Sequence, residues 1–260
     1  MSVTKKPENP IIVALDGMTV DDSLKLAERL KGKVWGFKAN DLADAPPIVN
    51  YDERFASEPL DLLSDYGGVF LDLKFHDIGN TVVNRISRWN ERLEHHPDLI
   101  TVHASGGIDM MRRAVEKDID IVCGGETDTG ILAVSVLTSI GEEVCNLAYG
   151  GPVKAKVLLF AQWAKLAGVI GMVCSAKELK FLSKFPELAS LIKVTPAIRP
   201  AWHPKTRDQD PSRITTIEQA IEFGTDFMVM GSVFTNTDDP VGAAEKTMAE
   251  VIEVRTKLAG

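Results

Sequence analysis

The stretch "GVFLDLKFHDIGNT", residues 68–81, combines the pattern of a buried β-strand with charged side chains. Asp72 and Lys74 stand among Val, Leu and Phe residues, and Asp77 follows immediately afterwards. Ionised groups seldom occupy such surroundings unless they pair with one another or take part in chemistry. The stretch therefore predicts a strand that carries charged groups for one of these two purposes.

Further runs of the same β type are spread along the whole chain, and segments of helical type separate them. The helical segment at residues 21–32 gathers its apolar side chains near one face and its charges on the other. Similar helical segments occupy residues 107–117 and 240–260. The eight β-type runs are "IIVALD" (11–16), "VWGFKA" (34–39), "GVFLDLKF" (68–75), "LITVHA" (99–104), "ILAVSVL" (131–137), "GVIGMVCS" (168–175), "IKVTPAI" (192–198) and "FMVMG" (227–231).

This alternation predicts a parallel sheet, because each crossover helix returns the chain to the same end of the sheet. The sheet can close into an eight-stranded barrel or remain open and doubly wound. Eight runs in 260 residues favour the barrel, and "LDGMTVDD" after the first run lacks the Gly-x-Gly-x-x-Gly of a dinucleotide-binding fold. We therefore expect residues 1–260 to form a single-domain (β/α)8 TIM barrel.

Composition narrows the classes of partner. A net charge of −8 disfavours general binding to nucleic acid or to an anionic membrane, so an anionic substrate needs a local cluster of donors.

The three cysteines, Cys123, Cys145 and Cys174, are odd in number and far apart, which favours buried thiols over disulfides or a metal site. The opening "MSVTKKPENP" has no apolar segment of the secretory type, and a cytoplasmic location is expected.

Alternation along a strand indicates where the charged groups point. Leu71, Leu73 and Phe75 share one face and are expected to meet the helices, which directs Asp72 and Lys74 into the barrel. Other polar residues end or follow other runs, at the rim where barrel enzymes hold their catalytic groups: Asp16, Lys38, Thr138, Ser139 and Arg199. A buried Asp72–Lys74 pair that only fixes register is the alternative, and the number of strand ends involved disfavours it.

The chain resembles the orotidine 5'-phosphate decarboxylase family over nearly its whole length. The likeness is carried by "IIVALD", "DLKFHDIGNT", "VHASGG", "VLTS", "VCSA", "VTPAIRP", "DQ" and "MGSVFT". The Asp-x-Lys-x-x-Asp core is shared with a wider suprafamily, whereas its "IGNT" continuation and the preceding Lys38 are more specific. The resemblance implies a carboxy-lyase that converts orotidine 5'-monophosphate to UMP in pyrimidine biosynthesis.

The resemblance also implies roles for individual residues. Lys38, Asp72, Lys74 and Asp77 would form an alternating charge network, with Asp77 entering the active site of a partner subunit in a homodimer. The substrate-binding residues would be Asp16 at the ribose, Ile78 and Thr81 from the second subunit, Thr138 near the pyrimidine or ribose, and Arg199, Gln209 and the Gly231 backbone at the phosphate.

The chemistry explains why such residues are needed. Loss of CO2 from C6 of a pyrimidine leaves an in-plane carbanion that no neighbouring π-system delocalises, and the family uses neither a cofactor nor a metal. A fixed ammonium is required there, and Lys74 would supply both its charge and the proton that replaces CO2. Flanking carboxylates would keep that lysine charged.

Two positions and one segment depart from the resemblance. Ser232 stands where the family has a phosphate-binding arginine, and Lys205, Arg207 or Arg213 is a candidate to compensate. Ala197 replaces the usual glycine before Ile198, and "ANDLADAPP" after Lys38 also differs.

Two alternatives remain from the sequence. One is a metal-dependent relative such as a sugar-phosphate decarboxylase or hexulose-phosphate synthase. The other is a non-catalytic nucleotide-binding protein, which Ser232 motivates.

His76 and His103 suggest a metal or acid/base role, but neither has a second ligand at suitable spacing, so hydrogen-bonded structural roles are expected.

Overall fold

The chain forms a closed parallel barrel in this computed structural model, which describes residues 3, 5–49, 56–122, 129–203 and 214–260. Neighbours in sequence pair side by side, and the last barrel strand pairs with the first. The barrel strands are β1 (Ile11–Ala14), β2 (Gly36–Ala39), β3 (Gly68–Phe75), β4 (Leu99–His103), β5 (Gly130–Val134), β6 (Gly171–Val173), β7 (Ile192–Thr195) and β8 (Phe227–Met230).

Helices surround the barrel, and two small sheets lie outside it. Ile48–Val49 pairs with Ala56–Ser57, and Ile198–Arg199 pairs with Thr215–Thr216. The α-helices of the described residues are α1 (Val20–Leu30), α2 (Pro59–Ser64), α3 (Gly79–Arg92), α4 (Ile108–Val122), α5 (Glu142–Tyr149), α6 (Val153–Ala167), α7 (Ala176–Leu182), α8 (Ile217–Glu222), α9 (Ser232–Thr235) and α10 (Pro240–Ala259).

The predicted fold class is confirmed, because every β-type run contains a barrel strand and pairing of β8 with β1 excludes an open sheet. Several strands are shorter than their runs. The run at 168–175 keeps only Gly171–Val173, since Gly168 ends α6 in the left-handed conformation, at φ 83°, and Ser175 caps α7 through its side chain.

The barrel interior is filled with large side chains near the N-terminal ends of the strands. Trp35 lies so close to β3 that a Cβ placed on Gly68 would come within 2.8 Å of its ring. The Trp35 ring also meets Phe227 edge-on, with ring centroids 5.1 Å apart. Leu99 and Ile192 belong to the same interior cluster. Open space inside the barrel is therefore concentrated at the C-terminal ends of the strands.

Candidate active site

A cavity of about 240 Å³ lies at the C-terminal ends of the barrel strands. Its charged lining consists of Asp16, Lys38, Asp72 and Lys74, which come from three different strands or the residues just after them. The walls are mostly apolar, with Phe70 among them. The cavity thus places four charged groups in a space with few competing polar groups, where electrostatic interactions are strong.

The four charged groups form a chain of alternating sign. The Lys38 ammonium donates to both oxygens of Asp16, at 2.6 and 2.8 Å, and lies 3.3 Å from Asp72 Oδ2. The same Oδ2 accepts a hydrogen bond from the Lys74 ammonium at 2.7 Å. Asp72 and Lys38 are buried, whereas Asp16 and Lys74 are more open to the cavity. One carboxylate oxygen therefore sits between two ammonium groups.

The other side of Asp72 is held by uncharged groups. Thr101 donates its hydroxyl proton to Asp72 Oδ1 at 3.0 Å, and the Asn40 amide donates to the Asp72 carbonyl at 2.5 Å. Asp72 is thereby fixed on both its side chain and its main chain. A carboxylate held in this way presents Oδ2 to the two lysines in a set orientation.

The backbone at Lys74 departs from regular strand geometry. Leu71 pairs with Ile100 and Phe75 pairs with Val102, so pairing between β3 and β4 is interrupted around Lys74. Lys74 itself has a φ of 49°, a left-handed conformation that costs a residue other than glycine about 1–2 kcal/mol. Such unfavourable backbone at a charged cavity residue is a frequent mark of a functional position.

A second cavity of about 450 Å³ continues from the first and shares Asp16, Lys38 and Thr138 with it. Arg199, Gly231 and Ser232 line its far end. The Arg199 side chain is buried and supplies a positive charge there. The two cavities together have one end lined by Arg199 and another end lined by the charge network.

Ala197 lies in the wall of this second cavity and has a φ of 60°. That left-handed conformation favours glycine, the residue expected before Ile198 from the sequence resemblance. The alanine therefore keeps the glycine-type backbone and bears its conformational cost.

Three predicted site residues do not reach these cavities. Asp77, Ile78 and Thr81 are absent from the described lining of both, and Ile78 is 72% exposed. Asp77 instead accepts a hydrogen bond from the Ile78 amide at 2.7 Å, at the start of α3. Gln209, Lys205, Arg207 and Arg213 lie outside the described residues.

His103 and His76 form a small cluster with Ser105. The Ser105 hydroxyl lies 2.7 Å from His103 Nδ1 and 3.3 Å from His76 Nε2. Burial lowers the pKa of His103 to about 4, and the nearby His76 and Lys74 add to this effect. Both rings have the hydrogen-bonded surroundings expected from the sequence. Across the described residues, no His, Cys, Asp or Glu side chains form a group of three that could hold a metal ion.

Thr101 and Asn40 were missed as site residues by sequence reasoning. A signal for Thr101 existed, since it has the strand parity of Leu99 and His103 and is a polar residue among interior-facing positions. Asn40 likewise has the parity of Lys38.

Comparison with known proteins gives the family. A sequence model of the "Orotidine 5'-phosphate decarboxylase / HUMPS family" matches residues 9–247. The chain belongs to this family. An orotidine 5'-phosphate decarboxylase of Syntrophomonas wolfei is 38% identical over 249 residues, covering 94% of this chain and 98% of that protein. One from Rhodospirillum rubrum is 32% identical over 257 residues, covering 97% and 98%.

Solved structures of similar proteins share the fold of this chain over most of its length. Orotidine 5'-phosphate decarboxylase from Lactobacillus acidophilus superposes with a TM-score of 0.71 at 28% identity, over 94% of this chain and 99% of that one. An uncharacterized conserved protein from Geobacillus kaustophilus gives 0.74 at 28% identity, over 93% and 100%. No helix in the described parts of the chain is both long and apolar enough to cross a bilayer.

Proposed function

We propose that this member of the decarboxylase family converts orotidine 5'-monophosphate to UMP and CO2 in pyrimidine biosynthesis. Family membership supports the reaction class, and the alternating Asp16–Lys38–Asp72–Lys74 chain in the cavity carries the proposal for this chain. The pyrimidine ring would lie in the cavity beside Lys74, and the phosphate would lie at the Arg199 end.

Lys74 is proposed to supply both charge and proton. When the bond from C6 to the carboxylate breaks, its electron pair stays on C6 and CO2 leaves. The Lys74 ammonium stabilises that developing negative charge and then transfers a proton to C6, and the neutral amine regains a proton from solvent. The step involves no net oxidation or reduction, and the proposed role of the Lys74 ammonium is to stabilise the electron pair on C6 where other decarboxylases use a cofactor as electron sink.

Asp72 has two proposed effects. It orients the Lys74 ammonium through the 2.7 Å hydrogen bond, and it would stand close to the departing carboxylate. Asp16 is proposed to bind the ribose hydroxyls and Thr138 the pyrimidine or ribose region, since both line the passage between the two cavities.

The phosphate would be held by Arg199, the Gly231 backbone, Ser232 and Gln209. Ser232 provides a hydroxyl where the sequence resemblance implies an arginine. A charge-assisted hydrogen bond contributes about 1.5–3 kcal/mol, so this serine weakens phosphate binding unless another cation compensates.

The active unit is proposed to be a cytoplasmic homodimer. Asp77, Ile78 and Thr81 do not line the cavities of their own chain, and the exposure of Ile78 leaves it accessible to a second subunit. These residues would complete the partner's site, with Asp77 extending its charge network.

The test is to follow the loss of orotidine 5'-monophosphate absorbance with purified protein, with and without EDTA. Lys74→Ala should abolish turnover while circular dichroism and UMP binding show an intact protein. Lys25→Ala, which removes an exposed lysine from α1, is the control and should keep wild-type activity.

Other outcomes would favour other functions. Turnover by Lys74→Ala near the wild-type rate would contradict the assigned role of Lys74. Activity that chelation abolishes would favour a metal-dependent sugar-phosphate decarboxylase or hexulose-phosphate synthase. Binding of UMP analogues without CO2 release would favour a non-catalytic nucleotide-binding protein, the alternative that Ser232 supports.

A further inference from the structure

Thr101 occupies the point where the charge network meets the irregular backbone of β3. Its side chain is fully buried in the middle of β4, facing the barrel interior. Its hydroxyl accepts a hydrogen bond from the Lys74 backbone amide at 2.8 Å and donates one to Asp72 Oδ1 at 3.0 Å. A hydroxyl has one proton to donate, and here that proton goes to the carboxylate.

The interrupted strand pairing explains why this hydroxyl is needed. Ladder pairing stops after Leu71 and resumes at Phe75, and Thr101 lies opposite the gap. The Lys74 amide points to the threonine hydroxyl there. A partly buried amide without an acceptor would disfavour this backbone, which already has the left-handed φ of 49° at Lys74.

We propose that Thr101 is a positioning residue that sets both the main-chain position of Lys74 and the orientation of the Asp72 carboxylate. Through the first hydrogen bond it holds the backbone from which the ammonium extends. Through the second it fixes Oδ1, which leaves Oδ2 to face Lys74 at 2.7 Å and Lys38 at 3.3 Å. Thr101 does not line the cavity, so it would act through these neighbours and not on the substrate.

This inference rests on the proposed decarboxylation, because the rate of that reaction would depend on where the Lys74 ammonium lies relative to C6. Small misplacements of a reacting group reduce rates strongly, while substrate binding, which depends on other contacts, changes less. Loss of the hydroxyl should therefore lower kcat more than it raises KM.

Thr101→Val tests this directly, because valine keeps the branched shape and removes the hydroxyl. We expect kcat to fall by about tenfold to a hundredfold, with KM and UMP affinity within about threefold of wild type. Thr101→Ser restores the hydroxyl and should recover kcat to within about threefold of wild type.

Thr195→Val is the matched control. Thr195 is also fully buried in a barrel strand, and its hydroxyl makes hydrogen bonds with the Thr225 hydroxyl at 3.0 Å and the Phe227 carbonyl at 3.3 Å. Its hydroxyl bonds to none of the four charged groups. This variant should lose comparable stability while its kcat stays near wild type.

A measurement independent of activity separates this inference from the proposed function. Hydrogen exchange of the Lys74 backbone amide should become at least about tenfold faster in Thr101→Val than in wild type or Thr101→Ser. Unchanged exchange, or a kcat in Thr101→Val no lower than in Thr195→Val, overturns the role of Thr101. If wild type turns over no orotidine 5'-monophosphate, the proposed function fails, and amide exchange still decides whether Thr101 holds the Lys74 backbone.

Discussion

Replacing Asp72 with asparagine isolates the charge at the centre of the network. The amide has nearly the shape of the carboxylate, and its oxygen can still accept the Thr101 hydroxyl proton at Oδ1. The negative charge beside Oδ2 disappears, however, and the two ammonium groups of Lys38 and Lys74 lose the anion between them. We expect the variant to be less stable and to lose most decarboxylation.

The structure sets the size of the stability loss. Removing one partner of a buried ion pair typically costs about 3–5 kcal/mol, because the remaining charge is left uncompensated. Two features of this site reduce the expected loss of stability. The Lys74 side chain is 33% exposed and can be hydrated, and Lys38 keeps its two hydrogen bonds to Asp16. We therefore expect Asp72→Asn to lower the free energy of unfolding by about 2–3 kcal/mol.

Urea denaturation at neutral pH measures this loss, with equal m-values indicating that the same transition is compared. Asp21→Asn is the control, since Asp21 and Lys25 form a 2.5 Å pair on the surface of α1, with both side chains mostly exposed. Such pairs contribute about 0–1 kcal/mol, and salt screens them. If Asp72→Asn costs no more than Asp21→Asn, the two lysines do not depend on Asp72 and the reasoning is wrong.

Three further predictions concern single positions. Ser232→Arg should raise kcat/KM for orotidine 5'-monophosphate by about tenfold or more, and no change in an active enzyme would show that another cation already binds the phosphate. Ala197→Gly should stabilise the protein by up to about 1 kcal/mol in urea denaturation, because relief of the left-handed φ of 60° exceeds the added unfolded-state entropy; a loss of stability would contradict this. Burial, His76 and Lys74 lower the pKa of His103 from 6.5 to about 4. Between pH 6.5 and pH 4 the unfolded chain therefore binds more protons at this residue than the folded protein does. The free energy of unfolding falls as pH drops through this range. His103→Asn should remove on the order of 3 kcal/mol of that fall, and an identical pH dependence in both proteins would contradict the prediction.

The barrel was predictable because its signals are local and repeated. Each β-type run is apolar enough to be buried, and the helical segments between runs leave a parallel sheet as the only simple arrangement. The direction of Asp72 and Lys74 also followed from alternation, since Leu71 and Phe75 do pack in the outer core and the two charged residues do line the cavity.

Features that depend on two distant segments were not predictable in the same way. The interrupted pairing at Lys74 arises between β3 and β4, and nothing in "FLDLKFHD" alone gives its left-handed φ. Contacts that require a specific residue of a neighbouring strand are likewise not predictable from one segment of sequence. A Cβ on Gly36 would lie 2.0 Å from the Gly68 carbonyl oxygen, so these two glycines permit a close approach that only the paired strands reveal.

The charge network has two partly exposed groups at its ends, which a ligand can reach, and two buried groups in the middle, which orient the end groups. Asp16 and Lys74 stand at its ends and are 51% and 33% exposed, whereas Lys38 and Asp72 in the middle are close to fully buried. A buried ion is stabilised only when it is paired, so each inner group needs its neighbours of opposite sign. Each outer group is therefore fixed by an inner one and still has a face open to the cavity. Because the end groups are pre-oriented before any ligand arrives, a ligand carrying hydroxyls at one end and a developing negative charge at the other would meet donors and acceptors that need little rearrangement.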